Sequence, residues 1–111
     1  MDLIADESEF LETLVSRIIK TYIKFNDLCF SIKPEFKTED LVLKRRAIYN
    51  ALIKVFPKGT RIETKSIVSI LQATEESNYT DNIQENYSVH SNKNGTLVQP
   101  MDEYRKSRNR L

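Results

Sequence analysis

The chain has 111 residues, 17 Lys plus Arg against 16 Asp plus Glu, and 40% hydrophobic residues, enough for one core and too few for two domains. No stretch approaches the roughly 18 consecutive apolar residues of a membrane span, and an N-terminus carrying Asp2, Asp6, Glu7 and Glu9 is unlike a positively charged secretory signal or transit peptide. One cysteine, Cys29, cannot make an internal disulfide or a thiolate metal cage, which suits a reducing compartment. The expectation is a single domain over residues 1–111, intracellular (cytoplasmic or nuclear), with no membrane contact and no cofactor.

The net charge of +1 conceals blocks. Residues 1–30 hold three basic and six acidic residues, and residues 31–65 hold nine basic and four acidic. Residues 66–103 hold one basic and six acidic, and 104–111 hold four basic and none acidic. Because the Debye length is about 8 Å at physiological salt, partners respond to these local fields and not to their sum.

Two glycines and three prolines favour long helices over a many-turned β-fold. From Glu7 to Phe30 the apolar rows Phe10–Leu14–Ile18–Tyr22 and Leu11–Val15–Ile19–Ile23 predict one long helix, opened by Asp6 and Glu9 in a capping-box-like pattern. The stripe is wide enough to touch two surfaces, and one of these is assigned to a second subunit or partner through Phe10, Leu14, Ile18 and Tyr22. After Pro34, Thr38-Glu39-Asp40 starts a second amphipathic helix over about 39–56 with Leu41, Ile48, Ala51, Leu52, Val55 and Phe56 on its apolar side. Lys44, Arg45 and Arg46 splay over about 200° of that helix and so make a poor single-face phosphate clamp. Pro57-Lys58-Gly59 ends it, Thr60-Arg61-Ile62 reads as a short extended piece, and Thr64 opens a short helix bearing Ile67, Val68, Ile70 and Leu71. Tyr79, Ile83 and Tyr87, spaced by four, permit a weak third helix near 77–85, while the Asn-rich composition argues equally for a loop. YSVHS and TLVQP around NKNG form the best hairpin signal in the chain, and MDEYRKSRNRL suggests a short basic C-terminal helix begun by Asp102 and Glu103.

The order from Thr38 onward, LVLKRRAIYNALIKVF, TRI, TKSIVSIL, SNYTDNIQE and then YSVHS-NKNG-TLVQP, resembles a winged helix-turn-helix domain over about residues 38–100. The expected fold class is therefore mainly α with one small β-hairpin: an N-terminal packing or dimerisation helix over 1–32, the winged-helix-like core, and a basic tail over 101–111. The resemblance implies DNA binding through the third helix, where Asn78, Thr80, Asn82 and Gln84 are available to bases. Lys65, Lys93 and the tail residues Arg105, Lys106, Arg108 and Arg110 would meet phosphates. Glu75, Glu76, Asp81 and Glu85 depart from the family's usual pattern, since carboxylates near phosphates are repelled.

Catalytic constellations are sparse. His90 is the only histidine, which leaves no His cluster for a metal, and Cys29 in an apolar segment reads as an inert thiol. The two glycines, 36 residues apart, make no phosphate-binding loop. The sequence therefore predicts a small non-enzymatic DNA-binding regulator serving transcription or replication. The alternative is a helical protein-interaction or inhibitor module, of a kind that a virus or mobile element would encode, docking through the 10–23 stripe or the acidic 74–85 segment.

Overall fold

In the computed structural model, residues 3–84 and 86–101 are described, with side chains from residue 9 onward. The elements run α1 (Leu3–Tyr22), β1 (Ile23–Asn26), β2 (Cys29–Ile32), a 3-10 turn (Pro34–Thr38), α2 (Leu41–Val55), α3 (Thr64–Glu75), β3 (Tyr79–Ile83), β4 (Tyr87–Asn92) and β5 (Gly95–Pro100). The five strands form one antiparallel sheet in the order β1-β2-β5-β4-β3. The protein is thus an α+β fold, which corrects the expectation of a mainly helical chain with one small hairpin and a winged-helix-like core.

Three local misreadings account for the correction. The helix expected to reach Phe30 stops at Tyr22, and the chain then makes the hairpin IKFN-DL-CFSI, with Asn26 opposite Cys29. Asp27 takes a φ of 55° at its tip, a conformation that Asp tolerates better than most residues. Ile23 falls four residues after Ile19 and so extended the helical row by coincidence. The second misreading is the third helix expected near 77–85, which is strand β3. Tyr79 and Ile83 share a face in a strand as well as in a helix, because a spacing of four is even. The third is the extended piece at Thr60-Arg61-Ile62, where no strand forms.

The predicted terminal hairpin is present as β4–β5, turning through Lys93 and Asn94, with Asn92 opposite Gly95. The two helices predicted over about 39–56 and from Thr64 are present as α2 and α3, and Asp40 caps α2 by accepting a hydrogen bond from the Val42 N–H at 2.9 Å. Residues 102–111, where the basic helix was expected, lie outside the described residues.

The helices cover one face of the sheet, as alternation along each strand requires. Cross-strand register places Phe25, Phe30, Val98, Val89 and Asp81 in one row on this face and Ile23, Ile32, Thr96, Ser91 and Tyr79 in the next. Helix α1 contacts β1, α2 contacts β2, and α3 lies over β3, β4 and β5. Neighbouring helices run antiparallel. Glu12 of α1 meets Arg46 of α2 at 3.7 Å while Tyr22, at the end of α1, bonds Glu39 just before α2. Lys44, early in α2, meets Glu75 at the end of α3 at 3.1 Å. A continuous core runs through Val15, Ile18, Phe30, Ile32, Phe36, Ile48, Leu52, Ile70, Val89 and Val98. Residues 23–32, assigned by sequence to the N-terminal helix, therefore belong to the sheet and its core.

Candidate functional site

The residues expected to contact nucleic acid are spread over the molecule. Lys65, on the first turn of α3, pairs with Glu63 at 3.3 Å. Gln84 is occupied within the fold: its Oε1 accepts from the Glu63 N–H at 3.0 Å and the Ser66 hydroxyl at 2.8 Å, and its Nε2 donates to the Arg61 carbonyl at 2.9 Å. Thr80 and Asn82 alternate with the inward residues of β3 and so lie on the sheet face away from α3, where Thr80 Oγ1 is 3.0 Å from His90 Nδ1. Asn78 is exposed just before β3. Lys93 tips the β4–β5 turn. Helix α3 starts beside Gln84 and ends where the Ser91 hydroxyl donates to the Glu76 carbonyl, so Lys65 and Lys93 stand at opposite ends of a helix about 18 Å long. Arg105, Lys106, Arg108 and Arg110 lie outside the described residues.

The stripe assigned to a partner divides in two. Ile18 is in the core, Leu14 is half-buried, and half-buried Tyr22 donates its hydroxyl to Glu39 at 2.7 Å. That hydrogen bond to a carboxylate is the main reason the Tyr22 pKa lies above the ordinary tyrosine value. Phe10 is 65% exposed and is the member of this row available to a partner.

Helix α2 carries a surface that the sequence reading missed. Its buried side is set by Ala47, Ile48, Ala51, Leu52 and Val55, together with Lys44. Directly opposite, Val42, Tyr49 and Ile53 are 56, 44 and 50% exposed, and at 100° per residue they fall within about 40° of one another. This apolar stripe is about 16 Å long, three turns of helix. Arg45 and Arg46, both exposed, flank it on its two sides. The basic triplet splits by helical phase. Lys44 is 6% exposed and gives its ammonium to the Lys37 carbonyl at 3.2 Å and to Glu75, whereas the two arginines remain outward. Leu41 at the start of α2 and Val68 on α3 add exposed apolar surface to the same helical layer. The signal was present in the sequence as Val42, Tyr49 and Ile53 at intervals of seven and four. The stronger apolar row of the same helix masks it.

An open cleft of about 830 Å³ lies between the end of α2 and the start of α3, with Phe56, Thr60, Arg61, Lys65, Gln84 and Tyr87 among its walls. Tyr87 packs its ring on Phe56 at 4.5 Å and points its hydroxyl to the Val55 carbonyl, and burial pushes its pKa up. With Gln84 and Tyr87 engaged in the fold, the cleft offers Arg61 and Lys65 at its rim. Cys29 and His90 belong to β2 and β4, between which β5 lies, and they are offset by two residues along the strands, so their backbones are more than about 10 Å apart. Among the described residues, no group of three or more His, Cys, Asp or Glu side chains is placed to hold a metal ion, and no helix is long and apolar enough to cross a membrane. No protein-family model matches the chain, and comparison with curated proteins gives no match either.

Proposed function

We propose that this chain is a non-enzymatic protein-docking module whose helical layer receives an acidic amphipathic helix on the outward face of α2. The observation that carries the reading is the Val42–Tyr49–Ile53 stripe between Arg45 and Arg46. An apolar seam flanked by arginines is the form in which a helical surface recognises a second helix by its apolar residues and fixes its orientation by charge. Tyr and Arg are also the residue types that concentrate binding energy at interfaces. The dispersal of Lys65, Asn78, Thr80, Asn82, Gln84 and Lys93 supports this reading over duplex recognition, which needs its cations on one face.

The test is fluorescence anisotropy with a labelled peptide of about four helical turns, Leu on one side and Glu on both flanks. Saturable binding that weakens between about 0.05 and 0.5 M salt is expected. Replacing Tyr49 and Ile53 together by Glu should reduce the affinity at least about tenfold. Because both positions are exposed, the same variant should keep its thermal midpoint to within a few degrees, as a shift of about 0.5 kcal/mol implies for a chain of this size. Equal binding of the wild type and the double variant would remove the proposal. Salt-sensitive binding of a DNA duplex with no peptide binding would instead favour the nucleic-acid reading, carried by Arg105, Lys106, Arg108 and Arg110.

A further inference from the structure

The α2 stripe has a complement within the same sequence. Residues 1–13 contain Asp2, Asp6, Glu7, Glu9 and Glu12 and no Lys or Arg. Helix α1 begins at Leu3, and among its described side chains none from Glu9 to Leu14 is buried, the first being Val15. Phe10 is the most exposed large apolar residue among those described, and Asp6 and Glu7 precede it by one helical turn. By helical phase Phe10 is about 160° round from Glu12, and it is Glu12 that touches Arg46 of its own α2. Phe10 therefore faces away from the stripe of its own molecule, and only another molecule can bring the two together.

We propose that the occupant of the α2 stripe is the N-terminal half of α1 from a second copy of this chain. The dimer is two-fold and reciprocal: Phe10 of each copy enters the Val42–Tyr49–Ile53 stripe of the other, and the acidic turns around it meet Arg45 and Arg46. A two-fold interface uses each contact twice. That doubling brings an apolar contact of three helical turns toward the roughly 800 Å² per partner that a stable interface buries. Charge complementarity selects this occupant over a second α2, which would set Arg45 and Arg46 against their own copies. The inference rests on the reading of the stripe as a docking surface and adds the identity of what docks.

The experiment is sedimentation velocity on the full chain over about a hundredfold concentration range, since self-association follows mass action. A monomer–dimer equilibrium that shifts toward monomer at high salt is expected. Two charge-reversed variants, Arg45→Glu/Arg46→Glu and Asp6→Lys/Glu7→Lys, should each be monomeric alone and form a one-to-one heterodimer when mixed, with circular dichroism confirming that both are folded. Phe10→Ala should shift the dimer toward monomer by about tenfold in dissociation constant. A wild type that is monomeric throughout, a dimer that survives both reversals, or a mixture that does not pair would each overturn the dimer. If the dimer is absent while the acidic peptide still binds the stripe, the docking surface stands and its assignment to a second copy falls. If neither associates, both fall.

Discussion

Gln84 has a φ of 53°, a left-handed conformation in which a non-glycine residue needs compensation from its surroundings. Its amide supplies that compensation by joining Glu63, Ser66 and Arg61, so one side chain ties the start of α3 to the end of β3. Helix α3 has no side-chain cap of its own, and the Gln84 oxygen takes over part of that work from 18 and 21 residues away. Gln84→Ala should cost about 1–3 kcal/mol, the cost of stranding partly buried donors, read as a lower urea midpoint. Gln84→Gly relaxes the backbone and still loses the clamp, so it too should be less stable than the wild type. Either variant matching the wild type would contradict the clamp.

Asp81 gives a pH-dependent counterpart at the same scale. The Ser69 hydroxyl donates to it at 2.7 Å and the Asn82 N–H at 2.8 Å, and the Ser69 bond is the main reason its pKa lies below the usual carboxylate value. A carboxylate with a depressed native pKa stabilises the fold above its unfolded pKa, about 3.9, and that stabilisation is lost as pH falls through the native value. Thermal melts of the wild type and Asp81→Asn should therefore differ most above about pH 4 and converge below it. A gap that does not change with pH would show that the charge plays no part. None of this was legible from Asp81 in the sequence, where it read as repulsive charge on a reading helix. A charge on an edge strand also opposes edge-to-edge pairing with another sheet.

Among the elements, β5 carries the most consequence because it alone joins the β1–β2 hairpin to the β3–β4 hairpin. Gly95 begins it at a φ of 134°, and a Cβ there would lie 2.5 Å from the Ile32 carbonyl oxygen of β2. Gly95→Ala should therefore destabilise by about 1–3 kcal/mol from backbone strain alone, and more if β5 must move away from β2. Chemical denaturation checks this, and an unchanged midpoint would mean that the strand shifts without cost. The Asn-Gly signal made this hairpin legible, because a tight turn is a local event. The β1–β2 hairpin had a signal too, Asn26-Asp27 between IKF and CFSI, but the helical row ending on Ile23 outweighed it.

The whole molecule is closed by the pairing of β2 with β5, which sets Phe30 opposite Val98. Contacts between residues so distant in the chain impose a loop-closure entropy that helical contacts do not. Stopped-flow refolding should accordingly fall in the millisecond-to-second range typical of sheet-rich domains, and microsecond refolding would contradict so non-local a topology.

The sequence by itself determined the helical stripes of α1, α2 and α3, the Asp40 region as the start of α2, the terminal hairpin and the alternation of charge along the chain. These are products of local backbone preference and of side chains within one or two turns of each other. The tertiary structure alone decided that residues 23–32 and 79–83 are strands, because a strand's hydrogen bonds belong to its neighbours. It also decided that Lys44 turns inward to Glu75 while Arg45 and Arg46 border an exposed apolar stripe. A near-balance of 17 against 16 charges said nothing about which of them face a partner, since that depends on which side of each helix the sheet occupies.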